Sequence, residues 1–324
     1  MNDRAISLLE KYEIEVTGTR KGRGAILCET ARGLLVFKEY CGNPEHLKMQ
    51  KELLRRIAEN SSLRTEELLE DKEGELSVRD YDGTRYLLKT YRDGRECNVR
   101  DREDCLQAAA VLARLHLCTQ DGIPDMEPEA YVIGREYEKR NRELRKIRKF
   151  LKERSQKTWF EISLKSCFDR FLEQAQAAAE GWKSYAPLSE CSGQRGICHG
   201  DYTYHNLLAD PEGWFLINFE RCICDDPVRD LNLLLRKILE KSGWSVALGK
   251  ELLEVYERIR PLPALSKIDL YYRLSYPEKF WKIANFYYNS GKAWIPGRNQ
   301  EKLEKLLAQE KEKKEFLEKV FCVS

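Results

Sequence analysis

The chain has 324 residues, 42% of them hydrophobic and 34% charged, and 56 basic residues against 54 acidic ones leave a formal net charge of +2. This near neutrality gives no reason to expect a nucleic-acid-binding or membrane-binding protein. The sequence has no apolar leader and no run of 18 apolar residues, which predicts a protein made in the cytoplasm, not secreted and without a transmembrane segment. Its eleven scattered cysteines include no Cys-x-x-Cys pair, so reduced thiols are expected rather than a zinc site.

The first ninety residues are predicted to form strands around one helix. Two strands flank a basic turn at residues 22–24, and a third, GLLVFKEY, carries Lys38 near its end. The dipeptide Asn43-Pro44 is typical of a helix start, which predicts a helix over EHLKMQKELLRRIAEN. The segments LSVRDYDG and TRYLLKTY then predict a hairpin that turns at Asp82-Gly83.

Beyond Gly94 the hydrophobic spacing becomes helical. A helix is predicted over residues 105–118, followed by a charged helix over about 134–156. Residues 135–157 hold 11 basic and 4 acidic side chains, which favours a solvated or lobe-bridging helix, with a polyanion-binding face as the alternative. The predicted fold class is α+β, with a small antiparallel-sheet lobe over residues 1–92 and a large helical lobe over 93–324.

The segment HGDYTYHN carries the most informative chemistry. Phosphoryl transfer needs a carboxylate that accepts the proton of the attacking hydroxyl, and oxygen ligands for Mg²⁺. The five-residue interval between Asp201 and Asn206 provides both, so Asp201 is the predicted catalytic base and Asn206 a predicted metal ligand. The turn ADPEG then returns WFLINFE as a strand ending at Asn218 and Glu220, which is expected to place Asn206 beside Asn218.

Two further residues are predicted to support this site. The segment DDPVRDLNLLLRKILE opens a helix, and Asp230 in its first turn is expected to point back and hold N–H groups of the catalytic loop. The alternative for Asp230 is a favourable position at the positive end of the helix dipole. His199 is interpreted as a hydrogen-bonded structural histidine.

Four sequence segments resemble those of a known family: HGDYTYHN, INFE, DDPVRDL and GRECNV. The chain is similar to the aminoglycoside-phosphotransferase and choline-kinase group, and within it to the CotS-type spore coat proteins of endospore-forming bacteria. The resemblance implies a two-lobed, protein-kinase-like fold, with ATP and Mg²⁺ or Mn²⁺ in the cleft between the lobes. It also implies other spore coat proteins as partners and incorporation into the coat.

The resemblance further implies roles in nucleotide binding. Lys38 corresponds to the lysine that contacts the α- and β-phosphates. Glu52 in the following helix is the expected partner holding that lysine, with Glu45 as the alternative. The hinge backbone around Thr90 and Tyr91 is expected to meet the adenine.

The residue at position 218 departs from the family pattern, because active members carry aspartate there. Asn218 offers one oxygen and no charge, and a unit charge pair at 4 Å is worth roughly 4 kcal/mol at an effective dielectric near 20. That corresponds to about three orders of magnitude in rate. Glu220 leaves from the same face of an extended strand and is the candidate replacement; alternatively it faces solvent or pairs with Arg221 or Arg229.

Two function classes therefore stay open. The chain is either a coat-associated protein that binds ATP on a kinase fold without catalysis, or an ATP-dependent kinase acting on an alcohol group of a small molecule or sugar. The kinase would use Asp201 as base and Glu220 at the metal. Its substrate would lie against C-terminal aromatic residues, which are otherwise expected in the core: Tyr276, Trp281, Tyr287 and Trp294.

Overall fold

The computed structural model describes residues 3–22, 24–121, 132–190, 195–289 and 296–321. The chain forms two compact units. The first comprises Met1–Pro128, Arg195–Leu234 and Arg258–Arg260. The second comprises Glu129–Gln194, Leu235–Glu257 and Pro261–Ser324.

The strands of the first unit form three sheets. The strands are β1 (Val16–Gly22), β2 (Ala25–Thr30), β3 (Gly33–Glu39), β4 (Arg64–Thr65), β5 (Leu68–Leu69), β6 (Val78–Arg79), β7 (Arg85–Thr90), β8 (Arg95–Glu96), β9 (Gly196–Cys198), β10 (Leu207–Asp210), β11 (Gly213–Leu216) and β12 (Ile223–Asp225). The largest sheet has the order β1-β2-β3-β7-β5, with β6 also paired to β7, and its pairs are antiparallel. The other two have the orders β4-β11-β10-β8 and β12-β9.

Helices complete the first unit. They are a 3₁₀ helix (Asp3–Lys11), α1 (Pro44–Asn60), α2 (Arg102–Cys118), a 3₁₀ turn (Tyr204–Asn206) and the start of α5 (Val228–Leu239). Asn43 caps α1 as its sequence predicts, because the side chain accepts a hydrogen bond from the N–H of Glu45 at 3.1 Å. The 3₁₀ helix packs Leu8 and Leu9 on the large sheet, and Tyr12, the residue after the helix, packs there too.

The predicted lobe boundary at residue 92 does not coincide with the division into compact units. The hairpin of β10 and β11 is extended on both sides. Strand β8 pairs with β10, and β4 pairs in parallel with β11. These pairs join the catalytic-loop segment to the N-terminal part of the chain. Residues that take part in the predicted chemistry therefore lie together in the first unit.

The second unit is helical. It contains α3 (Val132–Glu153), α4 (Trp159–Glu190), most of α6 (Val246–Ile259), α7 (Ala264–Ser275), α8 (Glu278–Asn289), α9 (Pro296–Ala308) and α10 (Glu310–Phe321). The charged helix α3 buries Tyr137, Leu144 and Ile147 in the core of this unit. Its exposed face forms ion pairs such as Arg148–Asp169 at 2.5 Å, so α3 is a packed amphipathic helix.

The prediction of an antiparallel-sheet region followed by a helical region is confirmed. Within the described ranges, none of the helices is both long enough and apolar enough to cross a membrane.

Candidate active site

The predicted catalytic loop lies between β9 (Gly196–Cys198) and β10 (Leu207–Asp210). The Asp201 carboxylate is half-buried, and no described residue donates a hydrogen bond to it. The backbone of Asp201 is fixed, because its N–H donates to Nδ1 of His199 at 3.2 Å and its carbonyl accepts from Nδ2 of Asn206 at 2.8 Å. The loop thus holds one uncommitted carboxylate in a defined position.

Asp230 holds the loop from the first turn of α5. Its carboxylate is fully buried and accepts the N–H groups of His199 at 2.6 Å and Gly200 at 3.0 Å, with Nε2 of His116 at 3.3 Å. Burial alone would raise the pKa of Asp230, but these donors hold that pKa below its usual value. Cys198 lies with His116 and Asp230 in a buried trio whose ligand atoms are within 4.8 Å of one another; burial raises the pKa of the thiol well above its usual value, so it is not a thiolate.

His199 and Gly200 fix the path of the loop. The His199 ring is neutral with its proton on Nε2, because Nε2 donates to the carbonyl of Ile217 at 3.0 Å and Nδ1 accepts from Asp201. Gly200 has φ +78°, and a Cβ there would lie 1.8 Å from the carbonyl oxygen of Arg221. Only glycine fits this left-handed, closely packed position.

Asn218 does not lie on a strand. The strand β11 ends at Leu216, and Asn218 has φ +68°, which corrects the predicted extension of the strand to Asn218 and Glu220. Asparagine tolerates this left-handed conformation better than most residues. The expected neighbour is present nevertheless: Nδ2 of Asn218 donates to Oδ1 of Asn206 at 2.8 Å.

Lys89 is the unexpected component of the site. Its side chain is 2% exposed, and its ammonium lies 2.7 Å from Oε2 of Glu66, 2.7 Å from Oε1 of Glu220 and 2.9 Å from Oδ1 of Asn218. Glu66 is itself fully buried and also accepts the N–H groups of Asn218 at 2.7 Å and Phe219 at 3.0 Å. Burial would lower the pKa of Lys89, but the two carboxylates raise it above its ordinary value, so the lysine is charged.

Lys38 joins the same group from β3. Its ammonium lies 3.0 Å from Oε1 of Glu220 and 3.5 Å from Oδ1 of Asn218. Burial raises the pKa of Glu220, but Lys89 and Lys38 outweigh it and lower that pKa to about 2. We call Lys38, Lys89, Glu66, Asn218 and Glu220 the lysine cluster.

The predicted pair between Lys38 and Glu52 is not formed. Glu52 bonds to Arg55 at 2.8 Å and to Arg56 at 2.7 Å on its own helix, and the alternative, Glu45, likewise pairs within α1. The physical reason is spacing: residues three and four apart share a face of a helix, so these carboxylates meet their own arginines and lysine first. Glu220 takes the place that was assigned to Glu52.

The cluster does not fit a divalent cation in this arrangement. The predicted ligand oxygens already accept hydrogen bonds: Oδ1 of Asn206 from an amide, and Oδ1 of Asn218 and Oε1 of Glu220 from ammonium groups. Two lysines and two glutamates also make the cluster electroneutral. The cluster therefore offers a divalent ion no net negative charge.

The hinge uses its backbone N–H groups internally. Thr90 donates to the carbonyl of Glu67 and Tyr91 to that of Leu34, each at 2.9 Å. Tyr91 also packs on an apolar cluster beside Phe215. These two N–H groups are therefore committed, and an adenine at the hinge would have to use other polar groups.

The C-terminal aromatic side chains that are described form packing contacts. Tyr276 is 1% exposed and stacks on Tyr137 with centroids 4.2 Å apart, while Trp281 donates to Glu143 at 2.8 Å and Tyr287 packs on Phe160. Trp294 lies outside the described residues. The described aromatic residues therefore pack in the core, which was the alternative to a substrate site.

Lys89 and Glu66 were missed from the sequence. Lys89 did leave a signal, since it follows the apolar residues Tyr86, Leu87 and Leu88 in a predicted strand, and a lysine in a buried strand is almost always paired. Glu66 left none. It stands in a polar stretch and reaches the site only because β4 pairs with β11.

The comparisons with known proteins agree with this architecture. A phosphotransferase enzyme family model matches residues 26–265. Spore coat protein S of Bacillus subtilis (strain 168) is 30% identical over 127 residues, which span 39% of this chain and only 36% of that protein. A crystal structure of an aminoglycoside phosphotransferase from Alicyclobacillus acidocaldarius subsp. acidocaldarius DSM 446 has a TM-score of 0.85 at 20% identity, covering 99% of this chain and 95% of that one.

Spectinomycin phosphotransferase in complex with ADP and spectinomycin has a TM-score of 0.65 at 14% identity, covering 96% of this chain and 99% of that one. At such identities these structures establish the fold alone. The chain has a protein-kinase-like fold and belongs to the phosphotransferase enzyme family. The predicted resemblance to that family, and to a spore coat protein, is confirmed.

Proposed function

We propose that this chain is a spore coat-associated, nucleotide-binding protein that has kept the kinase fold without metal-dependent phosphoryl transfer. ATP is the proposed nucleotide, and other coat proteins are the proposed partners. The observation that carries the proposal is the Lys89 ammonium on Asn218 and Glu220, the residues predicted to bind the metal. An active kinase would hold a dissociable Mg²⁺ ion at these residues. In this proposal the ammonium of Lys89, which cannot dissociate, takes the place of that ion.

The side chain at position 218 matches these neighbours as an amide. Its oxygen accepts from Lys89 and its NH₂ donates to Oδ1 of Asn206. A carboxylate would satisfy the lysine but would place a second acceptor against Oδ1 of Asn206, whose NH₂ is already bonded to the carbonyl of Asp201. The amide at 218 is therefore an integrated part of a site without metal.

Nucleotide binding is proposed from the family and from Lys38. The ADP-bound spectinomycin phosphotransferase shares the fold. Lys38 is 26% exposed, so its ammonium can reach a phosphate while remaining beside Glu220. A charge-assisted hydrogen bond of this kind is worth about 1.5–3 kcal/mol.

The second candidate is an active kinase that phosphorylates an alcohol group of a small molecule or sugar. The uncommitted carboxylate of Asp201 favours it, because a general base must be free to accept a proton. This candidate requires Lys89 to leave Asn218 and Glu220, so that Asn206, Asn218 and Glu220 can hold Mg²⁺ or Mn²⁺. The two candidates therefore differ in the metal requirement of ATP binding.

Thermal unfolding with ATP is expected to separate the candidates. ATP at 100 times its dissociation constant should stabilise the folded chain by about 2.7 kcal/mol, equally in excess EDTA and in excess MgCl₂. Lys38→Met should weaken ATP binding at least about tenfold, or about 1.4 kcal/mol. Asn218→Asp should gain no dependence on Mg²⁺, because Lys89 would still neutralise the new carboxylate.

Lys48→Met, at a side chain 68% exposed on α1, is the control and should bind ATP like the parent. A shift that requires Mg²⁺ in the parent would support the active kinase instead. A gain of Mg²⁺ dependence in Asn218→Asp would contradict the role given to Lys89. If ATP caused no thermal shift under any of these conditions, the proposal of nucleotide binding would be contradicted.

The coat association rests on the likeness to spore coat protein S and is tested in cells. A fluorescent fusion of this chain, expressed during sporulation of Bacillus subtilis (strain 168), is expected to collect around the developing spore. The fusion carries the full chain, because the second unit has not been shown to fold alone. Free fluorescent protein is the control. Uniform fluorescence in the cytoplasm would contradict the proposed association.

A further inference from the structure

A cavity of about 730 Å³ lies within the second unit. Its walls come from α4, α7 and α10 and from the ends of α5, α8 and α9. The size falls within the range of small-molecule sites, about 300–1,000 Å³. Aromatic side chains supply much of the wall: Phe171, Trp244, Tyr271, Tyr272 and Tyr276. None of the residues lining this cavity belongs to the lysine cluster or the catalytic loop, so the proposed nucleotide site leaves it unexplained.

Trp244 is held in the wall at a cost in backbone energy. It has φ +56°, a conformation that is a genuine outlier for a bulky side chain and costs on the order of 1–3 kcal/mol. The side chain is 5% exposed, and its ring lies 5.3 Å from the Lys313 ammonium. The indole face of Trp244 therefore lies beside a cation.

Lys313 is the cation of the cavity that lacks a carboxylate partner in the described part of the chain. The other buried or half-buried cations are paired: Arg236 with Glu240 at 3.0 Å, and Lys279 with the same glutamate at 3.2 Å. Lys313 makes only two long bonds, to the carbonyls of Ser275 at 3.3 Å and Tyr276 at 3.5 Å. Burial lowers its pKa to about 8, because desolvation disfavours the charged form.

Arg236 adds a second unused donor. It is 5% exposed, and both terminal nitrogens bond to glutamates, but its buried Nε has no partner among the residues that the structure describes. An unsatisfied buried donor costs about 1–3 kcal/mol. The charged lining residues, with five cations against three carboxylates, leave an excess of two positive charges: Arg170, Arg236, Lys279, Lys313 and Lys314 against Glu240, Glu278 and Glu310.

We propose that this cavity binds a small organic anion, a carboxylate carried on an aromatic ring. The carboxylate would accept from Lys313, beside the positive charge of Arg236, and the ring would lie against Trp244 and the tyrosines. Such a ligand supplies the anionic partner that Lys313 lacks among the described residues, and covers the apolar wall with the rest of its surface.

The test is a ¹⁹F NMR titration of the full chain with 4-fluorobenzoate and with its neutral analogue 4-fluorobenzamide. The carboxylate is expected to bind at least about tenfold more tightly at pH 7. Lys313→Met should remove most of this preference, and Lys319→Met, at a side chain of the same helix that is 59% exposed and outside the cavity wall, is the matched control. Equal binding of the two compounds, or no binding of either at 10 mM, would overturn the proposal without any variant.

The pH profile distinguishes a direct role of Lys313 from a structural one. The charged groups facing it are Arg236 of α5, Glu240 just beyond the end of α5, Glu278 and Lys279 of α8, Glu310 of α10 and Arg170 of α4. Affinity for 4-fluorobenzoate should fall towards a tenfold loss per pH unit above the pKa of Lys313. Lys313→Arg should keep its affinity to pH 10, since arginine stays charged. The same fall in Lys313→Arg would place the titrating group elsewhere and contradict the proposal.

Discussion

Replacing Lys89 by methionine is expected to lower the free energy of unfolding by about 3–5 kcal/mol, the range for breaking one side of a buried ion pair. Lys89 is 2% exposed and is bonded to the buried carboxylates of Glu66 and Glu220. Methionine fills the space but leaves Glu66 without its cation. Equilibrium urea denaturation at pH 7 measures the loss. The loss should shrink at pH 5, because an unpaired buried carboxylate has a raised pKa and takes up a proton.

The double variant Glu66→Gln with Lys89→Met separates the charge from the packing. It should recover part of the stability lost in Lys89→Met, because no unpaired carboxylate remains at position 66. Lys48→Met, at an exposed position, should change stability by less than about 0.5 kcal/mol. If Lys89→Met were as mild as Lys48→Met, the buried cluster described above could not exist in solution.

Replacing Asp230 by asparagine is expected to lower the free energy of unfolding by about 2–4 kcal/mol. The two carboxylate oxygens accept N–H groups of His199 and Gly200, and asparagine can keep only one of these bonds while its NH₂ faces the other donor. A hydrogen bond to a charged group is worth about 1.5–3 kcal/mol, and an unsatisfied buried N–H adds about 1–3 kcal/mol, so partial relaxation gives the stated range. The midpoint of urea denaturation reports the change.

Asp93→Asn is the matched control, because Asp93 is 75% exposed and makes one long surface contact with Arg20. It should change stability by less than about 0.5 kcal/mol. An equally small effect of Asp230→Asn would mean that the carboxylate does not hold the loop. Asp230 would then have only the helix-dipole role that the sequence left as an alternative.

Much of the loop geometry followed from local sequence. The interval between Asp201 and Asn206 and the turn ADPEG are local features, and a tight hairpin leaves few ways to arrange them. For that reason Asn206 and Asn218 were expected as neighbours and lie 2.8 Å apart. The first turn of α5 likewise brings Asp230 to the N–H groups of His199 and Gly200, since a helix start fixes where its side chains point.

Pairing between distant segments could not be predicted in the same way. The expected Lys38–Glu52 pair is replaced by contacts of Lys38 with Glu220, 182 residues away along the chain. The charge pattern of α1 offers Glu52 the arginines three and four residues on, but it does not show which distant carboxylate meets Lys38. Glu66 enters the site through the parallel pairing of β4 and β11, two-residue contacts without a sequence signature.

The sequence by itself determined the kinase-like fold class and the proximity of Asn206 and Asn218, because these depend on residue identity and short spacing. Only the tertiary structure decided which charged side chains meet at Asn218. Four separate segments of the chain bring Lys38, Lys89, Glu66 and Glu220 within hydrogen-bonding distance of one another or of Asn218. Burial then makes their pairing mandatory, since an unpaired charge there costs several kcal/mol.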